Sequence, residues 1–207
     1  MENKRTYPVK GILMALGKSF LYLLFFLVAQ YLTGLVYAAA AIAAGAGIAD
    51  VLAGRELAVL LSYLLTVGAV LLWFRLRHKP LEEAVGLRRC SGWTAAFSAF
   101  AALGLFVAIN LALALLPAAW MTDYSEYMDV LLSDGLLPAV SIVLAGPLAE
   151  ELMFRGVIQT RLERAMPVWA AVAGQAVLFG VTHGTPIQMA YAFLIGLALG
   201  FLRSRTG

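Results

Sequence analysis

The sequence predicts an all-α protein, a polytopic transmembrane helical bundle, and three observations lead to this fold class. Hydrophobic residues make up 62% of the 207 positions and charged residues only 13%, whereas a soluble domain is roughly half apolar and a quarter charged. Several apolar stretches approach the ~20 residues that cross a hydrocarbon core of ~30 Å. The Lys and Arg residues fall in short segments between those stretches. We therefore predict an integral membrane protein that is surrounded by the lipid bilayer.

Apolar stretches define about six spans, with ends uncertain by several residues. In chain order they are residues 12–44, 57–75, 94–119, 136–163, 168–183 and 186–202. The first, third and fourth exceed about 20 residues, so we expect them to tilt, bend or project beyond the lipid. We predict a single membrane domain, in which residues 1–135 supply N-terminal helices with an outer amphipathic segment and residues 136–207 form a core.

The first span has an alternative interpretation as a signal peptide. Lys4, Arg5 and Lys10 precede a Leu/Phe-rich stretch, and the small residues at 37–40 resemble a cleavage region. The apolar stretch continues to Ala44, however, beyond the roughly 7 to 15 residues of a usual signal core. We therefore interpret it as the first transmembrane helix.

The positions of the basic residues predict the orientation of the bundle, because cytoplasmic loops carry an excess of Lys and Arg. With a cytoplasmic N-terminus, every Lys and Arg except Arg55 falls on the inner side. The inner cations are Lys4, Arg5, Lys10, Lys18, Arg75, Arg77, Lys79, Arg88, Arg89, Arg155, Arg161, Arg164, Arg203 and Arg205, and the outer loops carry Asp50, Glu56, Asp123, Glu126, Asp129 and Asp134. We expect a bacterial plasma-membrane protein in this orientation.

Two further features limit the classes of function. The isoelectric point near 9.1 is explained by basic segments that report topology, so we expect no nucleic-acid partner. The single Cys90 lies in a basic loop. It has no second cysteine for an intrachain disulfide or a cysteine-based metal site.

The segment between the third and fourth spans predicts a short outer amphipathic helix at the membrane interface. Tyr124, Tyr127, Met128 and Leu131 recur at helical spacing, and acidic residues lie between them. Such a helix can be an interfacial anchor, or it can be a lid or substrate gate. Both interpretations stay open from the sequence.

Small and polar residues within the spans predict contacts between helices. Ala192, Gly196 and Gly200 recur every four residues, a pattern that lets helix backbones approach closely, and we expect it to serve internal packing rather than dimerisation. Asn110 and Gln175 are polar residues inside spans. We expect both to make hydrogen bonds between helices.

The fourth span carries two adjacent acids in an apolar helix, Glu150 and Glu151, followed by Arg155. A charge near the middle of a bilayer costs roughly 2.5 to 3.5 kcal/mol on insertion scales, so each acid needs a partner, a wet cavity or a proton. Glu151 and Arg155 lie four residues apart and can form an ion pair. Glu150 then lies on a neighbouring helix face, and Pro147 can kink the helix just before the acids.

The fifth span ends at His183, which we predict to lie at the same depth as Glu150. From a turn near Met166, Glu150 lies about 24 Å back and His183 about 26 Å forward if both arms are continuous helix. A carboxylate and an imidazole on facing helices can activate water directly or hold a metal. Glu150 and His183 are therefore the candidate catalytic residues and the candidate ligands of a divalent metal such as zinc.

Two common catalytic patterns are absent from the sequence. It contains no Gly-x-Ser-x-Gly and no His-Glu-x-x-His pattern, which argues against a serine hydrolase elbow and a standard zincin.

The polar motifs resemble those of the CPBP family, the CAAX proteases and bacteriocin-processing enzymes, also called the Abi family. The matching motifs are Glu150-Glu151-x-x-x-Arg155 and Phe179-x-x-x-His183. The resemblance covers about residues 136–207, while the first 135 residues match only as apolar helices. It makes residues 136–207 a partial peptidase-like core.

The resemblance implies an intramembrane endopeptidase, a glutamate or metallo-type protease in which the first glutamate and the histidine handle the attacking water. Carried over, these are Glu150 and His183, with Glu151 and Arg155 in support. Eukaryotic members cleave after a prenylated cysteine, and bacterial members are tied to peptide processing or bacteriocin immunity. We therefore expect a peptide or membrane-protein substrate that is cleaved near the cytoplasmic membrane face.

One departure from the family pattern concerns the end of the chain. Members usually continue from a sequence like Arg205-Thr206-Gly207 into a further helix with a His-x-x-x-Asn-like motif, and the sequence stops at Gly207. The sequence-based expectation is a chain that lacks one or two C-terminal helices and carries part of the site.

Two other functions compete with the peptidase. In a non-catalytic immunity or partner-binding protein, the polar cluster would only hold helices together. In a proton-coupled transporter, buried acids would relay protons, but the sequence has neither duplicated halves nor paired broken helices.

Overall fold

The computed structural model describes residues 6–86, 90–117, 121–122, 124–125 and 136–206. All regular structure in these residues is helical. Most of the predicted outer segment, including Tyr127, Met128 and Leu131, lies outside the described residues, as do Lys4, Arg5, Arg88 and Arg89 of the predicted inner side.

Eight helices can be numbered along the described chain. Five are long and apolar enough to cross a membrane: α1 (Val9–Ala43), α3 (Arg55–Leu76), α5 (Gly92–Ala114), α6 (Leu136–Glu163) and α8 (Pro186–Thr206). Three are shorter: α2 (Ile48–Ala53), α4 (Leu81–Val85) and α7 (Val168–Gly180). The predicted fold class, an all-α polytopic bundle, is confirmed, and the chain is an integral membrane protein.

The fifth predicted span needs a correction. Residues 168–183 were expected to form one span, but α7 has 13 residues and ends at Gly180. Its length of about 20 Å is less than the ~30 Å of a hydrocarbon core. The chain then turns through residues 181–185 and enters α8. His183 therefore lies in the turn of an α7–α8 hairpin rather than inside a span.

Helix α6 is continuous but not regular. Two π-helical stretches, Ser141–Ala145 and Glu151–Gln159, flank a short α-helical stretch at Gly146–Glu150 that contains Pro147. Pro147 was expected to be able to kink this helix. The structure instead shows that the helical hydrogen bonds change from the α to the π pattern before and after the segment that contains Pro147. Such π-helical insertions occur frequently at functional sites.

The best-buried part of the described chain lies where α1, α6 and α7 meet. Phe26, Phe154 and Phe179, one from each helix, are buried there, and their rings make edge-to-face contacts with centroids 5.7 and 5.0 Å apart. In contrast, α5 has no buried residue. Its apolar side chains match a helix in contact with lipid.

The helices α7 and α8 pack closely through small residues, as the sequence predicted. A Cβ atom added at Gly196 would lie 2.9 Å from the Ala176 Cα, so the two backbones leave no space for a side chain there. Gln175 donates a 2.6 Å hydrogen bond to the Gly196 carbonyl, which confirms its predicted role. The prediction for Asn110 was wrong, because its side-chain amide donates to the Phe106 carbonyl one turn back in its own helix.

Basic side chains of different helices meet at one end of the bundle. Lys18 of α1, Arg77 after α3 and Arg161 of α6 line one pocket. At the same end of α6, Glu163 pairs with Arg203 of α8. Arg55 begins α3 at the opposite end. This arrangement is the one expected from the positions of Lys and Arg, and the assignment of the basic end to the cytoplasm stays a prediction.

Candidate active site

The two acids lie at the junction between two helical geometries of α6. Glu150 is the last residue of the α-helical stretch and Glu151 the first of the longer π-helical stretch. Glu150 is half-buried, while 46% of the Glu151 side chain is exposed. The two carboxylates therefore differ in environment, and Glu150 is the less accessible to solvent.

The predicted ion pair between Glu151 and Arg155 is confirmed. Arg155 Nη1 lies 3.1 Å from Glu151 Oε1, and the arginine side chain is only 3% exposed. All three guanidinium nitrogens of Arg155 are buried without a hydrogen-bond partner among the described residues. The contact is thus a close pairing of charges whose angle is poor for a hydrogen bond.

An aromatic ring supports the Arg155 guanidinium. Its Cζ atom lies 4.2 Å from the centroid of Phe179, where the ring quadrupole attracts a cation. Phe179 belongs to α7, so this contact joins the arginine of the first motif to the first residue of the second motif. Burial of an arginine without hydrogen bonds lowers the stability of the fold. Such a buried, unsatisfied group therefore calls for an explanation, and a functional role is one.

A backbone carbonyl determines which His183 nitrogen is available for chemistry. Nδ1 lies 3.0 Å from the Phe179 carbonyl oxygen. A carbonyl only accepts hydrogen bonds, so Nδ1 carries the hydrogen and donates it. In the neutral imidazole, Nε2 then has a free lone pair. This is the arrangement that orients a histidine that acts as a base or a metal ligand.

Aromatic rings flank the His183 imidazole. The centroid of the Phe179 ring lies 4.9 Å from the imidazole centroid, and that of the Tyr191 ring lies 6.4 Å from it. Both contacts are edge-to-face. The Tyr124 ring in turn makes an edge-to-face contact with Tyr191, with centroids 6.1 Å apart. The sequence did not predict the contact of Tyr191 with His183, because it depends on the α7–α8 turn. Tyr124 brings the predicted outer segment to the ring next to His183.

Arg155 joins the two sequence motifs through contacts on both sides. It pairs with Glu151 at 3.1 Å and lies over the Phe179 ring, and that ring also contacts the His183 imidazole. No hydrogen bond or ion pair joins Glu150 directly to His183 in the described part of the chain.

The metal-binding prediction concerns a set of donor side chains. Catalytic zinc usually has three protein ligands. Within the described ranges, no group of three His, Cys, Asp or Glu side chains is placed to hold a metal ion. Glu150 and His183 alone are fewer than the three ligands of a complete zinc site, and the metal stays a prediction.

A second polar cluster near the site was not predicted. Gln159 is fully buried, and its amide lies within hydrogen-bond distance of Glu163 (2.8 Å), the Gly200 carbonyl (2.9 Å) and Ser204 (3.0 Å). The sequence offered one signal, polar residues at the ends of two apolar helices. Their pairing depends on the register of α6 against α8.

Comparison with known proteins finds a similarity in the C-terminal part of the chain. The model of a family described as type II CAAX prenyl endopeptidase Rce1-like matches residues 132–207. No curated protein and no solved structure matches the chain. The matched range contains both polar motifs. Over residues 132–207 the chain is thus similar to the Rce1-like type II CAAX prenyl endopeptidases of the CPBP family, as its motifs indicated.

Proposed function

We propose that the protein is an intramembrane endopeptidase of the CAAX type, in which Glu150 activates water and His183 assists. The family match supports protease activity at the level of the family. The observation that carries the assignment to these residues is the hydrogen bond from His183 Nδ1 to the Phe179 carbonyl. It fixes the imidazole and leaves Nε2 free, and the Phe179 ring that contacts this imidazole also supports the buried Arg155.

The proposed reaction begins with a water molecule between Glu150 and His183. The carboxylate and Nε2 each accept a hydrogen bond from it, which orients a lone pair of the water oxygen toward the substrate carbonyl carbon. Glu150 takes the proton as the oxygen attacks, and a tetrahedral intermediate forms. The protonated Glu150 then gives this proton to the amide nitrogen, the C–N bond breaks, and a carboxylic acid and an amine leave.

Glu151 and Arg155 act as positioning residues in this proposal. The exposed Glu151 holds one side of the guanidinium at 3.1 Å, and Phe179 supports its face. The fixed positive charge then acts on Glu150 and on the negative charge that develops on the substrate oxygen. The described residues do not form a three-ligand set for a metal ion, and in this proposal the protein side chains alone position and activate the water.

The substrate is a peptide or membrane protein that approaches from the bilayer. Water and a peptide carbonyl must both reach Glu150, which is half-buried within a span of α6. With the N-terminus in the cytoplasm of a bacterium, as the positions of the cations suggest, cleavage takes place near the cytoplasmic face of the plasma membrane.

Replacement of Glu150 tests this proposal. In liposomes that contain the full-length protein, cleavage of a fluorogenic prenylated CAAX peptide should fall by ~10²- to 10⁴-fold with Glu150→Gln, since the amide cannot take up the proton. Glu56→Gln is the matched control, because Glu56 is also a buried glutamate but lies in the first turn of α3. Unchanged cleavage by Glu150→Gln would contradict the proposal and favour a non-catalytic role for the cluster.

A further inference from the structure

A pocket rich in positive charge lies at the basic end of the bundle, away from Glu150 and His183. Lys18, Arg77, Lys79 and Arg161 line a cavity of about 440 Å³ between α1, α3 and α6. The other lining residues are Leu21, Tyr22, Trp73 and Phe74. Among the described residues no acidic side chain lines the cavity, so its positive charge is not balanced by its own lining.

Two of the four pocket cations, Arg77 and Arg161, contact aromatic rings rather than acids. Arg77 lies over Trp73, with Cζ 4.7 Å from the ring centroid, and Arg161 lies over Tyr22 at 5.6 Å. In the described part of the chain, the ion pairs of Lys and Arg involve only Arg55, Arg155 and Arg203. The rings hold two guanidinium groups in place while their N–H edges stay available, which suits a planar group that binds an anion.

An apolar groove continues from this pocket toward the middle of the bundle. It has a volume of about 360 Å³ and shares Leu21, Tyr22, Trp73 and Phe74 with the pocket. Its other lining residues are Phe25, Ala69, Val70 and Val157. The groove has no charged lining residue, and Leu21, Phe25 and Trp73 are exposed at its edge, so it opens where the bundle meets lipid.

On all three helices, the groove residues lie further from the basic end than the pocket cations. The axial distance from the pocket cation to the groove residue is about 10 Å on α1 (Lys18 to Phe25) and about 6 Å on α6 (Arg161 to Val157). On α3 the groove residue Ala69 likewise lies further into the helix than Arg77. A ligand that fits both parts therefore has a negative group at the membrane surface and an apolar chain about 10 Å into the bilayer.

We propose that the pocket and the groove form a binding site for an anionic phospholipid. The phosphate binds Lys18, Arg77, Lys79 and Arg161, and an acyl chain occupies the groove beside Val157. Basic pockets between transmembrane helices near the cytoplasmic surface bind anionic head groups. Four cations without an acid favour a lipid with net negative charge over a zwitterionic one. The apolar groove favours a lipid over a free phosphate.

The site is tested with the full-length protein in a neutral detergent. Native mass spectrometry measures retention of dioleoyl phosphatidylglycerol, and dioleoyl phosphatidylcholine and glycerol 3-phosphate are measured in parallel. Retention of phosphatidylglycerol should exceed that of phosphatidylcholine at least tenfold. Glycerol 3-phosphate should not displace the lipid at equal concentration. Equal retention of both lipids, or displacement by the free phosphate, would overturn the proposal.

Two pairs of variants separate the head-group and chain contacts. Arg77→Gln combined with Arg161→Gln should weaken phosphatidylglycerol binding about 25-fold, since each surface cation contributes about fivefold. Arg75→Gln, at the same end of α3 but outside the pocket lining, is the control and should have no more than about a fivefold effect.

The second pair addresses the groove. Ala69→Trp fills it and should weaken binding of the lipid, while Leu72→Trp places the same bulk at an exposed position of α3 outside the lining and should not. Gel filtration confirms that each variant is monodisperse. If the double Gln variant and Ala69→Trp retain phosphatidylglycerol like the wild type, the site is not a lipid site.

Discussion

Two arginines of the same matched region, the buried Arg155 and the half-buried Arg203, have opposite hydrogen-bond environments. Arg203 donates to Glu163 at 3.3 Å, to the Val85 carbonyl at 3.0 Å and to Thr160. Arg155 is more deeply buried, and none of its nitrogens has a hydrogen-bond partner among the described residues. Hydrogen bonds therefore stabilise Arg203, while Arg155 contacts only one exposed carboxylate and one aromatic ring among the described groups that act on its charge.

The difference distinguishes a hydrogen-bonded cluster around Arg203 from the proposed active site around Arg155. Around Arg203, the side chains of Gln159, Glu163 and Ser204 bond to one another and join α6 to α8. Networks of this kind fix the register of helices. Around Arg155 the donors remain unused, which lowers stability but leaves groups free for a substrate. Buried polar side chains that look alike in the sequence thus serve different purposes.

The largest expected effect concerns His183. His183→Asn keeps a side-chain amide that can donate to the Phe179 carbonyl but removes Nε2, so peptide cleavage should fall by ~10²- to 10⁴-fold without loss of folding. The assay is cleavage of the prenylated peptide in liposomes, with thermal unfolding in detergent as a second measurement. His78→Asn, which alters the other histidine in the chain, is the control. Full cleavage by His183→Asn would place the chemistry elsewhere.

A smaller effect, on stability rather than activity, is expected at Arg203. Arg203→Met removes the donor to Glu163 Oε2 and to the Val85 carbonyl, which should cost about 2 kcal/mol in the free energy of unfolding. Denaturation in detergent measures this loss. Cleavage per folded molecule should stay at the wild-type level, and a selective loss of cleavage would mean that the network belongs to the active site.

The smallest effect is expected at Tyr191. Tyr191→Leu removes the ring beside His183, and aromatic pairs contribute ~0.5 to 1.5 kcal/mol, so cleavage should fall about two- to tenfold. Tyr191→Phe keeps the ring and should retain most of the activity. If the Phe variant is as impaired as the Leu variant, the hydroxyl group rather than the ring is the part that matters.

Much of the fold was predictable because hydropathy and charge position are local signals. The five long helices overlap five of the predicted spans, and the small-residue stripe at Ala192, Gly196 and Gly200 is buried as expected. The ion pair of Glu151 with Arg155 followed from helical spacing. These features depend only on residues that are neighbours in the sequence or on one helix face.

The parts that could not be predicted depend on packing between helices. The π-helical stretches around the acids change the direction of side chains relative to a regular helix. The early end of α7 at Gly180 places His183 in a turn. The contacts of Phe179 with Arg155 and of Tyr191 with His183 then depend on how α6, α7 and α8 fit together, which no local pattern encodes.

The central claim is that Arg155 serves activity whereas Arg203 serves stability, and one paired measurement tests it most directly. Arg155→Met and Arg203→Met are compared for free energy of unfolding and for cleavage per folded molecule. Arg155→Met removes a buried charge without hydrogen bonds and leaves Glu151 exposed to solvent. We expect this variant to be at least as stable as the wild type but to have lost cleavage, and Arg203→Met to be unstable but active. The account is contradicted if Arg155→Met is destabilised as much as Arg203→Met and its folded molecules cleave normally.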